Sequence, residues 1–394
     1  MQGKKNIGLL EFHCHIKYIY TMAKIVKTEN TNVTIFTTPK LFSKVKTYLK
    51  NLKDYEVILK EKDEGMNNFF KRVEKICNEK IDLLFINTIQ KTMLDFPMFL
   101  NFKPKCKMIL TIHTANSWFS KKPQINLKKP FRTIDTNVST IFGKFFILPK
   151  FNGINVIYSP IKDFIENKTD YKKPVFTIPF GFYDEINKPQ KTKKEDKIIF
   201  VIPGQIEEHR RNYDIVIDAF EKIFEKYNDK IEFILLGYPV GAYGKRIINR
   251  CKKLKKQGYN IIYYNNFVPE DEYNEIMKNV DFLILPIKML STGVGVTPEY
   301  YGKTKGSAAV FEGVQYAKPL IVPKNFTIIK ELESSTLKYK SSEDLEKTLE
   351  EIIIENKDKL DKLSKEACKN SEKFSLPVLQ EYFTRKILDK IDSL

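Results

Sequence analysis

The sequence predicts two doubly wound α/β domains, each a parallel sheet covered by helices, facing one another across a cleft. Three observations predict it. The chain has 394 residues, too long for one ordinary core and suited to two. Short apolar runs alternate with amphipathic helical segments, and the alternation occurs twice. Between the two series lies "DEINKPQKTKKED", Asp184 to Asp196, which is charged, contains Pro189 and reads as a linker. The domains are therefore placed at residues 1–185 and 197–370. A helical tail at 371–394 is expected to pack back on the first domain.

In the first domain "KNIGLLEF" (Lys5 to Phe12) reads as a buried strand and "KYIYTMAKIVK" as a helix. The runs "NVTIFTT", "IDLLFINT" and "KMILTIH" continue the strands, with "FFKRVEKICNEK" helical between them. "INVIYSP" and "PVFTIPFGF" add two more strands. After the linker, "KIIFVIPG" is a strand ending in a glycine turn. "NYDIVIDAFEKIFEKY" follows as an amphipathic helix whose Ile215, Ile217, Ala219, Phe220, Ile223 and Phe224 suit one buried face. "IEFILLG", "NIIYYNNFV", "DFLILPI" and "PLIVP" read as strands. "YGKRIINRCKKLKKQG", "EDEYNEIMKNV" and "SAAVFEGVQYA" read as helices, as does the tail from Ser341.

The five cysteines are far apart and never in C-x-x-C, which argues for a reducing compartment and against a disulfide framework or zinc site. Of four histidines, "HCH" (His13 to His15) is the one cluster that resembles metal ligands, but its place after a strand reads better as a loop lining the cleft. The N-terminus shows no secretory pattern, and no apolar run reaches the length of about 18 that a spanning helix needs. The expected location is cytoplasmic. A net charge of +18 favours anionic partners, although lysines spread along the whole chain equally fit solvated helix faces. No basic motif interleaved with aromatics suggests nucleic acid.

"GKTKGSAAVFEGVQYAKPLIVP" (Gly302 to Pro323) opens like the end of a P-loop. The motif needs an earlier glycine where Thr297 stands, and a strand directly before it. Both conditions fail. What remains is a helix start at Gly306 and Ser307, with free backbone amides and a positive dipole end. Ser307 is placed to cap the helix. Glu312, further along, has a carboxylate able to accept two hydroxyl hydrogen bonds. A capped connector helix with an exposed glutamate fits the same residues. Ligands of doubly wound sheets bind outside the carboxyl ends of strands, which singles out His113, Gly204 and Gly237 as strand exits. Arg210 and Arg211 follow the Gly204 turn, where guanidinium groups can fork onto phosphate or pair with Glu207 and Glu208.

The order of these pieces resembles the GT-B glycosyltransferases, whose two domains are Rossmann-like, and within them glycosyltransferase family 4. "FVIPGQIEEHRRNYDIVIDAF", "FILLG", "DFLILP" and "FEGVQYAKPLIV" follow that family's second domain; "LTIH" and "PVFTIPFGF" resemble its first. The resemblance spans residues 5 to 330. It implies that Gly204, Arg210, Arg211, Gly306 and Ser307 hold the diphosphate of a nucleotide-sugar. It implies that Glu312 binds the ribose and that His113 contacts the transferred sugar. It also implies sugar transfer to a hydroxyl of a glycan, lipid-linked or protein acceptor, with retention and with no metal or other cofactor. Two departures stand out. Thr304 occupies the place of the family's earlier glutamate, with Glu299 a distant substitute. "EFHCHIKYIY" replaces the usual glycine-rich loop, leaving His13 and His15 as acceptor-side candidates. A catalytically inactive scaffold and a nucleotide-sugar epimerase are the alternative readings. The segment Asn116 to Phe151 mixes lysines with Trp118, Phe119, Phe131, Phe145 and Phe146. Those aromatics are either ordinary core or a face resting peripherally on an anionic membrane.

Overall fold

The computed structural model describes residues 3–49, 52–90, 96–184, 197–292 and 295–392. Of the expected linker, Asp184 alone lies among them. The chain divides into two compact units. Unit 1 comprises Met1–Gly181, Thr292–Gly306 and Leu376–Leu394; unit 2 comprises Phe182–Ser291 and Ser307–Ser375.

Unit 1 is built on a seven-stranded parallel sheet. Its strands are β1 (Lys5–Leu10), β2 (Thr31–Thr37), β3 (Glu56–Leu59), β4 (Leu83–Ile86), β5 (Lys107–Ile112), β6 (Gly153–Val156) and β7 (Val175–Thr177), in the order β3-β2-β1-β4-β5-β6-β7. The last four residues of β1 and all of β4 are buried. A strand covered on both faces has no side left for water, so its sequence is an unbroken apolar run. The order reverses between β1 and β4, which opens a crevice at their carboxyl ends.

Unit 2 repeats the plan. Strands β8 (Ile198–Pro203), β9 (Ile231–Leu236), β10 (Ile261–Tyr263) and β11 (Phe282–Ile284) precede the short β12 (Leu290–Thr292) and β13 (Pro298–Tyr300), which lie outside both sheets. β14 (Leu320–Pro323) and β15 (Thr336–Tyr339) complete a parallel sheet of order β10-β9-β8-β11-β14-β15, with the reversal between β8 and β11. The helix Tyr213–Tyr227 buries Val216, Ile217, Phe220, Ile223 and Phe224 at helical spacing, while Ile215 is only partly covered. The long helix Ser342–Glu372 starts at Ser341, whose hydroxyl caps the amide of Asp344.

The units depart from the sequence-based boundaries in two places. Residues 292–306, expected in the second domain, are tied into unit 1. The Ala115 amide donates to Thr304 O at 2.7 Å, the Asn116 side chain donates to Pro298 O at 2.8 Å, and Val296 N donates to Thr136 at 3.2 Å. The tail begins at Leu376 rather than 371, because Ser371–Ser375 stay with unit 2, where Tyr183 N donates to Phe374 O at 2.9 Å. The tail itself bonds to unit 1: the Gln380 side chain donates to the carbonyls of Lys24 and Lys27 at the end of the helix Ile16–Val26. None of the five cysteines forms a disulfide among the described residues. Among the described residues no helix is long and apolar enough to cross a membrane.

Phe220 is fully buried, stacked on Phe233 at 4.0 Å and 9°, and edge-on to Phe200 at 5.6 Å. Removing the ring leaves a cavity that the flanking strands cannot close. Phe220→Ala should lower stability by about 3–5 kcal/mol in chemical denaturation. A loss under about 1 kcal/mol would contradict this packing.

Candidate functional site

In unit 2 the sequence-nominated residues gather at the exits of β8 and β11. Gly204 follows β8 with φ of 92°, a conformation that side chains rarely adopt. Its amide donates to Leu236 O at 2.8 Å, and Gly237 crosses so closely that a Cβ there would lie 2.0 Å from the Gly204 carbonyl oxygen. The space beside Gly204 is filled by a guanidinium: a Cβ on Gly204 would sit 2.9 Å from Nη2 of Arg211. Arg211 is half-buried and donates through Nη1 to the Pro203 carbonyl and, at 3.3 Å, to the Tyr213 hydroxyl. Backbone pairing holds the loop in place. Asn212 N donates to Pro286 O at 2.7 Å, and Lys288 N donates to Arg210 O at 2.9 Å.

Glu312 lies on the helix Ala308–Gln315, and its Oε2 accepts from the hydroxyl of Tyr273 on the helix Glu270–Asn279. Burial opposes the charge of Arg211, but Tyr213, Glu312 and Tyr273 outweigh it and raise its pKa. Burial and the Glu312 carboxylate push the Tyr273 hydroxyl well above its ordinary range. A permanent cation and a tyrosine-held carboxylate thus face one strand exit.

The other nominees divide. Arg210 is exposed and pairs with Glu207, so it and Arg211 are not equivalent. Ser307 stands at the N-cap of the Glu312 helix, but its side chain makes no cap bond. That corrects the expected hydroxyl cap. The Val310 amide donates to Ser307 O at 3.1 Å, while the Ala308 and Ala309 amides have no capping hydroxyl. Gly306 belongs to unit 1, where a Cβ would lie 3.0 Å from Cβ of Tyr158. Packing within unit 1 therefore already explains the glycine.

In unit 1 the exits of β1 and β4 bring a second set together. Glu11 is 1% exposed directly after β1; it takes the His13 amide on Oε1 at 2.7 Å and the Thr88 hydroxyl on Oε2 at 2.5 Å. Thr88 has one proton, and it goes to Glu11. His15 Nδ1, 2.8 Å from the same oxygen, is then the donor, which leaves its Nε2 as the lone pair. His113 directly follows β5 and stacks on His15 with ring centres 4.1 Å apart. Its Nε2 must donate to the Asn87 carbonyl at 2.9 Å, which leaves Nδ1 as an acceptor. Burial, then the neighbouring His13, lowers the His15 pKa to about 4. Burial, then His15, lowers His113 to about 3. Both rings are neutral near pH 7. His13 tilts against Phe12, with ring centres 4.1 Å apart.

Glu299, a distant substitute for the missing glutamate by sequence, is 1% exposed and accepts the amides of Ser117 at 2.8 Å and Asn116 at 3.2 Å. Burial pushes its carboxyl up to about 7. It anchors residues 292–306 to unit 1. Thr304 turns its hydroxyl to the Tyr300 amide at 2.9 Å. Sequence reasoning missed Tyr273, Tyr213, Thr88 and Glu11. The one available signal was Glu11, a carboxylate ending an apolar strand one helical turn before His15. Among the described residues, no group of three His, Cys, Asp or Glu is arranged to hold a metal ion.

No family model matches the chain, and comparison with curated proteins finds no match. Solved structures do match. Anabaena HepE in complex with UDP and glucose is 13% identical with a TM-score of 0.66, covering 99% of this chain and 100% of that one. The lipopolysaccharide outer core galactosyltransferase WaaB is 12% identical with a TM-score of 0.58, covering 98% and 99%. A putative UDP-N-acetylglucosamine 2-epimerase from Listeria monocytogenes is 13% identical with a TM-score of 0.54, covering 100% and 98%. Likeness at such identity speaks for the fold: two parallel-sheet α/β domains of GT-B type.

Two predictions follow from this geometry. Gly237→Ala drives a methyl into the Gly204 carbonyl, so the β8 exit must shift. The variant should melt lower than wild type by several degrees, and an unchanged melting temperature would contradict the crossing. The histidines set a pH dependence. A ring whose folded pKa is depressed adds stability that is complete above the ordinary value near 6.5 and is lost as pH falls through the folded value. Glu299 acts in the opposite sense, losing its contribution as pH rises toward about 7. Comparing variants isolates the rings: His15→Asn with His113→Asn should flatten the fall in melting temperature between pH 6.5 and 4. An unchanged slope would mean that the rings titrate freely.

Proposed function

We propose that the chain is a glycosyltransferase that moves a sugar from a nucleotide-sugar donor to an acceptor hydroxyl. The observation that carries the reading is the Arg211 guanidinium, half-buried beside the positive-φ turn at Gly204 and close enough to Glu312 for that carboxylate to favour its charge. A cation held out of bulk water at a strand exit of a doubly wound sheet is suited to a diphosphate. The structural likeness to a protein crystallised with UDP and glucose supports the same donor class.

Each residue then has a task. Arg211 neutralises the leaving diphosphate, supplying the charge that a metal ion supplies in other sites, so transfer is expected to be metal-independent. The amides of Ser307, Ala308 and Ala309, at the start of the helix Ala308–Gln315, donate to phosphate oxygens. Glu312, held by Tyr273, accepts the ribose hydroxyls. His113 keeps Nδ1 as an acceptor for a hydroxyl of the transferred sugar, because its Nε2 proton is committed to Asn87. Arg210 and Gly306 take smaller parts, one paired with Glu207 and the other packed on Tyr158. His13 and His15 serve the acceptor side.

The reaction is read as retaining. The acceptor oxygen bonds to the anomeric carbon on the face from which the phosphate oxygen departs. The acceptor proton passes to that phosphate oxygen, so no protein nucleophile is required. The protein positions the partners and stabilises the charge that develops on the leaving group.

Donor turnover, followed by nucleoside diphosphate release with and without candidate acceptors, tests this. Arg211→Ala should lower kcat/KM by about a hundredfold or more, as loss of a charge-stabilising donor does, and Glu312→Ala should chiefly raise KM. Arg210→Ala should change little, within about fivefold, as expected of an exposed pair. Turnover should survive EDTA. Conversion of donor without any acceptor would indicate an epimerase, and absence of both binding and turnover would indicate an inactive scaffold. Equal losses from Arg210→Ala and Arg211→Ala would overturn the residue assignment.

A further inference from the structure

The helix Pro130–Phe142 is inside out, and the turn Gly143–Ile147 that continues it is anchored by the buried Ile147 while its two rings stay outside. Thr136 and Ser139 are the buried positions of the helix, and Gly143 lies buried after it. Thr136 takes the Val296 amide, and Thr140 donates back to Thr136 O at 2.8 Å. The opposite face carries Phe131 (87% exposed), Ile134 (61%), Ile141 (55%) and Phe145 (63%), with Phe142 and Phe146 beside them. Their steps of three, seven and four residues keep them on one stripe. The preceding loop adds Ile125 and Leu127, 79% and 89% exposed.

A helix that packs on a core turns its apolar side inward. Here small hydroxyl residues face in and rings face out. Among the described residues, eight of the fourteen exposed large apolar side chains fall between 125 and 146; the other six are scattered over the rest of the chain. Scattered exposure is ordinary, but a contiguous patch marks a contact surface. Trp118 and Phe119, from the same stretch of sequence, are buried and belong to the core of unit 1.

Charge identifies the partner. Residues 121–146 contain Lys121, Lys122, Lys128, Lys129, Arg132 and Lys144 against a single acid, Asp135. Asp170 reaches in from outside, 3.0 Å from Lys121 and 4.0 Å from Lys144, and leaves the other four cations untouched. A cavity of about 280 Å³ opens beside the stripe, lined by Phe119, Lys121, Lys144 and Tyr171 among others. Rings that point outward among lysines match the headgroup region of a bilayer, where apolar side chains enter the acyl boundary and cations meet anionic headgroups. A second copy seated on the same face would bring two such cationic patches together, which like-charge repulsion opposes.

We infer that the surface formed by residues 125–146 docks the protein peripherally on an anionic lipid bilayer. The inference does not depend on glycosyl transfer, and its test measures none.

The test is vesicle flotation of the full chain, with phosphatidylcholine alone or mixed with phosphatidylglycerol, at low and high salt. Wild type should float with the anionic vesicles and bind neutral ones about tenfold more weakly or less, and high salt should weaken the anionic binding. The triple variant Phe131→Ser, Ile134→Ser, Phe145→Ser should lose about tenfold or more of its binding, with a melting curve like that of wild type because these side chains are mostly exposed. Lys128→Glu with Lys129→Glu should remove the preference for anionic vesicles. Phe267→Ser, at an isolated exposed ring in unit 2, should change nothing. The proposal is overturned if wild type stays in solution with every vesicle, or if the triple variant floats as well as wild type. It is equally overturned if light scattering shows a dimer that the triple variant dissolves, which would assign the patch to a second copy.

Discussion

The guanidinium of Arg211 occupies the space that a side chain on Gly204 would need. Much of the unit 2 site depends on that substitution of one group for another. The strand exit turns at a positive φ, Gly237 crosses the turn within a distance that excludes a methyl group, and the cation fills the room left over. Tyr213 keeps the guanidinium in place from one side. Glu312 and Tyr273 favour its charge from the other. A permanent charge kept partly from water persists only where neighbouring carbonyls, hydroxyls and carboxylates compensate it.

Unit 1 solves a different problem at the equivalent place in its own sheet. Burial keeps both imidazoles at its switch point unprotonated at pH 7, and the buried Glu11 carboxyl, whose pKa burial raises, orders the local hydrogen bonds. The Glu11–Thr88–His15 chain fixes a tautomer, as the Asn87 carbonyl does for His113. Fixed tautomers suit recognition of hydroxyl groups, which both donate and accept, better than recognition of phosphate.

Much of the fold was legible in the sequence. Strands buried on both faces must be apolar throughout, so β1, β4, β5, β8 and β9 stand out as runs. Gly204 was legible as a glycine turn after a strand, whereas Arg211 was legible only as one of a basic pair suited equally to phosphate and to Glu207 and Glu208; its burial and the exposure of Arg210 appear only in the structure. The excursion of residues 292–306 into unit 1 was not. It rests on Glu299 accepting two amides from residues 116 and 117, a contact between distant positions that leaves no local pattern. Tyr273 was equally hidden, because a tyrosine on an amphipathic helix looks like packing until its hydroxyl is seen on Glu312. The aromatics of 118–146 were visible as composition, but which of them face outward depends on the rotation of one helix. That rotation is set by Thr136 and Ser139, residues that carry no hydrophobic signal.

Under the proposed function, the folded chain holds a nucleotide-sugar through Arg211. Melting the protein against a panel of nucleotide-sugars and their parent diphosphates tests it, because a ligand bound only by the native state stabilises it with the logarithm of its concentration above Kd, by about 2.7 kcal/mol at a hundred times Kd. At least one nucleoside diphosphate and its sugar conjugate should raise the melting temperature of wild type and leave that of Arg211→Ala unchanged. A panel without effect on wild type, or one that shifts both proteins equally, would contradict it.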